Sequence, residues 1–159
     1  MGFFDKLKAV KNMVTGGAAE VVASIEHDGE LSVGEPFNIK VQALTKDADL
    51  KIGKVYLKLR AVEHIEAEGI EVEYEGGERE VEHEIVKKTV ETYNHEILVD
   101  GPQTMEANET YEWNVEVTIP EKCNGTYNGV HAEHRWMFFV GLDAFGNDPD
   151  SGWIPFDIY

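Results

Sequence analysis

From residue 20 onward the apolar positions recur at every second residue. Val21, Ala23 and Ile25 alternate with Val22, Ser24 and Glu26, and Phe37, Ile39, Val41 and Ala43 alternate with Asn38, Lys40 and Gln42. A period of two is the mark of a half-buried β-strand, whose successive side chains point to opposite faces. Residues 52–61 repeat it, with Val55, Leu57 and Leu59 on one face and Tyr56 and Lys58 on the other. So do residues 110–120, through Tyr111, Trp113, Val115, Val117 and Ile119. Residues 131–142 read as a long aromatic-rich strand, and Trp153, Pro155, Asp157 and Tyr159 alternate with Ile154, Phe156 and Ile158 at the end. Between these runs lie His27-Asp28-Gly29-Glu30, Val33-Gly34-Glu35-Pro36, a polar loop over 46–51, Gly101-Pro102, a Gly/Asn loop over 123–128 and an acidic turn over 143–152. Gly and Pro punctuate chains in this way. Many strands with turn signals between them predict an all-β protein, an antiparallel β-sandwich.

Residues 63–91 carry the densest charge. Ile70, Val72 and Tyr74 alternate with Glu71, Glu73 and Glu75, and Gly76-Gly77 reads as a hairpin turn. The return run interleaves Val81, His83 and Ile85 with Glu80, Glu82 and Glu84. The β-branched residues argue for a solvated strand face rather than a disordered tail. Charges on such strands also oppose edge-to-edge aggregation. Val90, Thr92, Asn94 and Glu96 fit the alternation less regularly, so the pattern fixes no strand boundary there.

The first residues have a different texture. Phe3, Phe4, Leu7, Val10, Met13 and Val14 recur at helical spacing, with Lys6, Lys8 and Lys11 between them and Thr15-Gly16-Gly17 as a stop. The reading is a short amphipathic helix within residues 1–16, ahead of a sandwich over 17–159. The Met-Gly start lacks the Ser or Thr that a myristoylation motif wants where Lys6 stands. A helix this short needs a surface to fold against. Its own domain is the first choice, a partner groove the second, and a membrane surface the third.

Charge then narrows the field. With 14 Lys plus Arg against 31 Asp plus Glu, the chain carries −17. Such a surface repels phosphate backbones, so nucleic acid is not an expected partner. The lone Cys123 excludes an internal disulfide framework and a cysteine-based structural zinc site. No apolar run reaches the ~18 residues of a membrane-spanning helix, and a signal-peptide core is lacking, so a cytoplasmic location is expected.

Candidate chemistry is sparse. Of the six histidines, His131 and His134 fall on opposite faces of a strand, while His83 and His95 are placed to meet across a hairpin. Surface histidines in an acidic strand are the better reading, and no metal site is expected. Asp143, Asp148 and Asp150 around Gly146 and Asn147 imitate a calcium loop, but the spacing is wrong and no Glu closes it. Carboxylate pairs are too abundant to single out a glycosidase pair. Cys123 has no histidine at a telling distance in sequence, so it reads as inert. No catalytic residue and no cofactor is expected.

Two blocks resemble known proteins. Leu31-Ser32-Val33-Gly34-Glu35-Pro36-Phe37-Asn38-Ile39-Lys40-Val41, followed by Ile52-Gly53-Lys54-Val55-Tyr56-Leu57-Lys58-Leu59, resembles the opening of arrestin-like domains. The run from Trp113 to Pro120, Asn124-Gly125, Trp136-Met137-Phe138-Phe139-Val140-Gly141-Leu142-Asp143 and Asp148-Pro149-Asp150 resembles their closing strands. With the Phe3-Phe4-Asp5-Lys6-Leu7-Lys8 start, the chain is similar to the bacterial sporulation-control family, stage-zero sporulation protein M and its relatives. That resemblance implies an arrestin-like (immunoglobulin-like) β-sandwich that regulates by binding other proteins, without catalytic residues.

The expected function is therefore a non-catalytic regulator that engages protein partners through sheet edges and loops. Its candidate partner-binding residues are Phe3, Phe4, Leu7 and Lys8 at the start and Glu71, Glu73 and Glu75 on the acidic strand. A stress or envelope protein held at a membrane by the N-terminal helix is the rival. Self-association through strand edges is left open, since the same charges oppose it.

Overall fold

The alternation along the chain is realised as two antiparallel sheets. The computed structural model describes residues 17–159, so the helix expected within 1–16 lies outside the described residues. The strands are β1 (Ala19–Glu26), β2 (Pro36–Thr45), β3 (Leu50–Glu75), β4 (Glu78–Asp100), β5 (Gln103–Met105), β6 (Thr110–Thr118), β7 (Tyr127–Asn128), β8 (Ala132–Ala144) and β9 (Ile154–Phe156). One sheet has the order β1-β2-β6; the other runs β4-β3-β8-β7, with β5 beside the start of β3 and β9 beside β8. Among the described residues no helix is long and apolar enough to cross a membrane.

The pleat sorts side chains as the sequence pattern predicts. Ala19, Val21, Ile39, Val41, Val115 and Val117 of the first sheet bury into one cluster with Val55, Leu57, Leu59, Ala61, Trp136, Phe138 and Val140 of the second. Burying each large aliphatic or aromatic side chain stabilises the fold by roughly 1.5–3 kcal/mol. Trp136 and Phe138 are the largest wholly buried side chains. The closing residues are stitched in by backbone bonds: Tyr159 donates to Leu31 at 2.9 Å, and Val33 donates to Tyr159 at 2.8 Å. Gly125 permits this seam, because a Cβ there would lie 2.6 Å from the Ile158 carbonyl oxygen.

Two features differ from the sequence reading. Residues 52–61 and 63–75, read as separate runs, form a single strand of 26 residues that pairs with a 23-residue partner. The irregularity around Thr92 is a β-bulge: the register steps from Ala61↔Tyr93 to Val62↔Glu91, which leaves Thr92 without a cross-strand mate. Bulges re-aim side chains, and the Thr92 hydroxyl here meets Nε2 of buried His134 at 2.7 Å.

Candidate functional site

β3 outlasts its neighbour. Its last residue paired to β8 is Ile65, opposite Ala132; from there to Glu75 β4 is its only paired strand among the described residues. Ten further residues at about 3.3 Å each carry a two-stranded ribbon roughly 33 Å past the sandwich. The turn at its tip has Gly76 at φ 64° and Gly77 at φ 89°. A two-residue hairpin of this hand requires positive φ at both positions, which glycine alone adopts without strain.

Register assigns the two faces of the ribbon. Tyr74↔Arg79, Val72↔Val81 and Ile70↔His83 share one face, with Ile85 next along it opposite Glu68. Glu75↔Glu78, Glu73↔Glu80, Glu71↔Glu82 and Gly69↔Glu84 share the other. Both faces meet water: Tyr74 is 75% exposed, Ile70 62% and Ile85 60%. Like charges directly opposite one another destabilise a strand pair, by roughly 0.2–1 kcal/mol each. The three Glu–Glu pairs are therefore a cost that the ribbon carries with no compensating burial.

The apolar parity also reverses along β3. In the sandwich the odd positions Val55, Leu57, Leu59 and Ala61 are buried, while in the ribbon the apolar positions are the even ones, Ile70, Val72 and Tyr74. Pairing with β4 and β8 shows no extra β3 residue between Val55 and Glu75, the bulge at Thr92 being on β4. The ribbon's apolar stripe therefore continues the side of the sheet that faces away from the core. It is not core that has been left uncovered. This reversal is visible in the sequence, and the sequence reading missed it by treating the two runs as separate strands.

The root is held by specific contacts. The Glu66 amide donates to the His131 carbonyl at 2.8 Å, and the Tyr127 hydroxyl donates to the Glu63 carboxylate, which raises that phenol above its ordinary value. His64 Nδ1 lies 2.8 Å from Thr89 Oγ1, and Lys87 Nζ lies 3.5 Å from Glu66. A cleft of about 870 Å³ opens here between the ribbon root and the β7–β8 connection, lined by His64, Glu66, Glu68, His131 and Glu133 among others. No three His, Cys, Asp or Glu side chains converge to hold a metal ion among the described residues.

Glu71, Glu73 and Glu75, expected to bind partners, are thus brought together on one exposed ribbon face. Phe3, Phe4, Leu7 and Lys8 lie outside the described residues. Three other expectations are resolved by the structure. His83 and His95 cannot meet across a hairpin, because both lie on β4, twelve residues apart. The acidic turn is occupied by its own bonds: Asp148 accepts from Tyr56 at 2.9 Å and from the Ala144 amide at 3.1 Å, while Asp150 accepts from the Gly152 amide at 2.8 Å. Burial first, and then the Asp148 bond, push the Tyr56 phenol well above its ordinary value.

Cys123 does have a histidine nearby. It lines a cleft of about 400 Å³ together with His134, Thr92, Tyr93 and Trp136. The β8 strand delivers His134 to the loop from eleven residues away, which spacing did not reveal. His134 is 1% exposed, and its Nδ1 donates to the Gly125 carbonyl at 2.9 Å. In the neutral ring, Nε2 then accepts from the Thr92 hydroxyl. With both nitrogens engaged, the imidazole has no lone pair free to activate the thiol.

No protein-family model and no curated protein sequence matches the chain. Solved structures do. The crystal structure of Spo0M, the sporulation control protein from Bacillus subtilis, superposes with a TM-score of 0.60 at 18% identity, over 89% of this chain and 49% of that one. A family 123 glycoside hydrolase from Clostridium perfringens superposes with a TM-score of 0.43 at 11% identity, over 87% of this chain and 27% of that one. The chain spans about half the length of the Spo0M chain it resembles. The two antiparallel sheets described above have the fold of the Spo0M sporulation control protein.

Proposed function

We propose that the chain is a non-catalytic interaction module of the arrestin-like kind, a cytoplasmic regulator that binds a protein partner through its ribbon. The observation that carries this reading is the ribbon itself. It extends about 33 Å beyond the core, and it presents an unburied apolar stripe on one face and paired glutamates on the other. Both features cost stability in an isolated domain, and both become favourable when a partner covers the stripe and supplies cations. The likeness to a sporulation control protein supports a regulatory role through fold alone.

The test is a shortened ribbon. Excising 70–75 and 78–83 leaves Gly69 and Glu84, already cross-strand mates, beside the Gly76-Gly77 turn. The sandwich core is untouched, and its melting temperature checks that. Affinity capture from native lysate should recover a stoichiometric protein with the full chain and lose it with the shortened one. Equal recovery by both chains would place recognition elsewhere.

A further inference from the structure

We infer that the free edge of β4 over 78–87 takes an added strand from the partner, and that this strand alternates Lys or Arg with aliphatic side chains. The inference rests on the interaction-module reading and specifies its partner.

Within the sandwich, β4 already shows what satisfies it. There its neighbour β3 supplies cations to β4 glutamates: Arg60 Nε lies 2.7 Å from Glu91, and Lys54 Nζ lies 2.5 Å from Glu96. The same stretch of β3 sets Leu57 and Leu59 on its alternate face. Past the bulge at Thr92, the side of the sheet that carried those cations becomes the apolar stripe, and on the opposite side β3 sets Glu71, Glu73 and Glu75 across from Glu82, Glu80 and Glu78, so those glutamates face no cation on β3. The other side of β4 pairs with no strand among the described residues, because β4 ends the order of its sheet. Strand addition to such an edge uses backbone bonds for affinity and alternate side chains for selectivity. An added strand places its side chains in phase with β4. One set flanks Glu80, Glu82 and Glu84, where Lys or Arg is favoured, and the other flanks Val81 and Ile85, where aliphatic groups cover exposed carbon. β3's free edge is the poorer choice, since the connection carrying Val130 and His131 stands at its root.

The described strands of this chain and of a second copy do not supply the occupant. A second copy has the required pattern at Lys58-Leu59-Arg60, but that run is already paired on both sides by β4 and β8. Ribbon against ribbon would set glutamate against glutamate.

The probes are two fluorescein-labelled nonapeptides of one composition. The first is Lys-Val-Lys-Ile-Lys-Val-Lys-Val-Lys. The second, Lys-Lys-Val-Val-Lys-Lys-Ile-Val-Lys, breaks the alternation. Anisotropy at low salt should show the alternating probe binding about tenfold tighter or more. Glu80, Glu82 and Glu84→Gln should weaken it by a similar factor, and Val81→Ser with Ile85→Ser should erase the preference between probes. Amide exchange should slow over 78–87 when the alternating probe binds. Equal binding of both probes means attraction by charge alone and overturns the inference, as does protection confined to another face. Those results, obtained while capture still depends on the ribbon, would leave the interaction module standing. Capture that is indifferent to the ribbon would remove the module reading itself.

Discussion

The glutamate ladder makes a measurable demand on the ribbon. Replacing Glu71, Glu73 and Glu75 by Gln keeps the side-chain shape and removes the charge from one member of each Glu–Glu pair. At roughly 0.2–1 kcal/mol per like-charged pair, the three pairs together oppose strand pairing by about 0.6–3 kcal/mol. With 1.4 kcal/mol per factor of ten, opening of the ribbon should become about threefold to a hundredfold rarer. Native-state amide exchange over 78–84 reads this directly, because local opening governs protection there. At low ionic strength the triple variant should exchange more slowly by that factor. Near 1 M salt, where screening acts within about 3 Å, the difference should largely vanish. The global melting temperature should stay where it is, since none of the three side chains touches the core. Unchanged exchange at low salt would refute the claim that these pairs repel. So would a melting shift that tracks the exchange, because the ribbon would then not open independently of the sandwich.

Three further outcomes follow from the described contacts. Gly125→Ala forces a Cβ to within 2.6 Å of the Ile158 carbonyl, a backbone atom, and should cost about 1–3 kcal/mol by chemical denaturation, whereas Gly101→Ala, with open space around it, should cost far less. The Tyr56 phenol is raised in the folded state, so its contribution is fully present below the unfolded value near 10 and is lost as pH rises beyond it; Tyr56→Phe should flatten the fall in stability above about pH 10. Asp100 is held below its ordinary value by bonds from Trp113, Gln103 and the Gly101 amide, so its contribution is present above about pH 4 and is lost as pH falls through the folded value. Asp100→Asn should weaken the acid limb of the denaturation profile, with Trp113 fluorescence as the readout.

Strand positions, the hairpin turn and the two ribbon faces were legible because period two is written locally, residue by residue. The sandwich face of β2 follows directly from Phe37, Ile39, Val41 and Ala43, all of which are buried. What stayed hidden depends on pairing between distant segments. Whether β3 continues past Ala61 depends on β4 still matching it out to Glu78, and the position of the bulge at Thr92 depends on how those two strands slide against each other. His134 looked like a surface histidine because nothing near it in sequence announces Gly125 and Thr92 as its partners. The parity reversal between Leu59 and Ile70 was readable, and it required only counting through one uninterrupted strand.

The way the ribbon is mounted has a mechanical consequence. Past Ile65, among the described residues, no third strand and no core lie beneath the pair, so the bending stiffness of the arm is concentrated at the root, around Glu63, Glu66 and His131. A tilt of about 10° there sweeps a tip roughly 33 Å away through about 6 Å. Under the proposed strand addition the edge would tolerate the sweep, because each new backbone bond would align the next, and the arm would stiffen into a three-stranded sheet on being occupied.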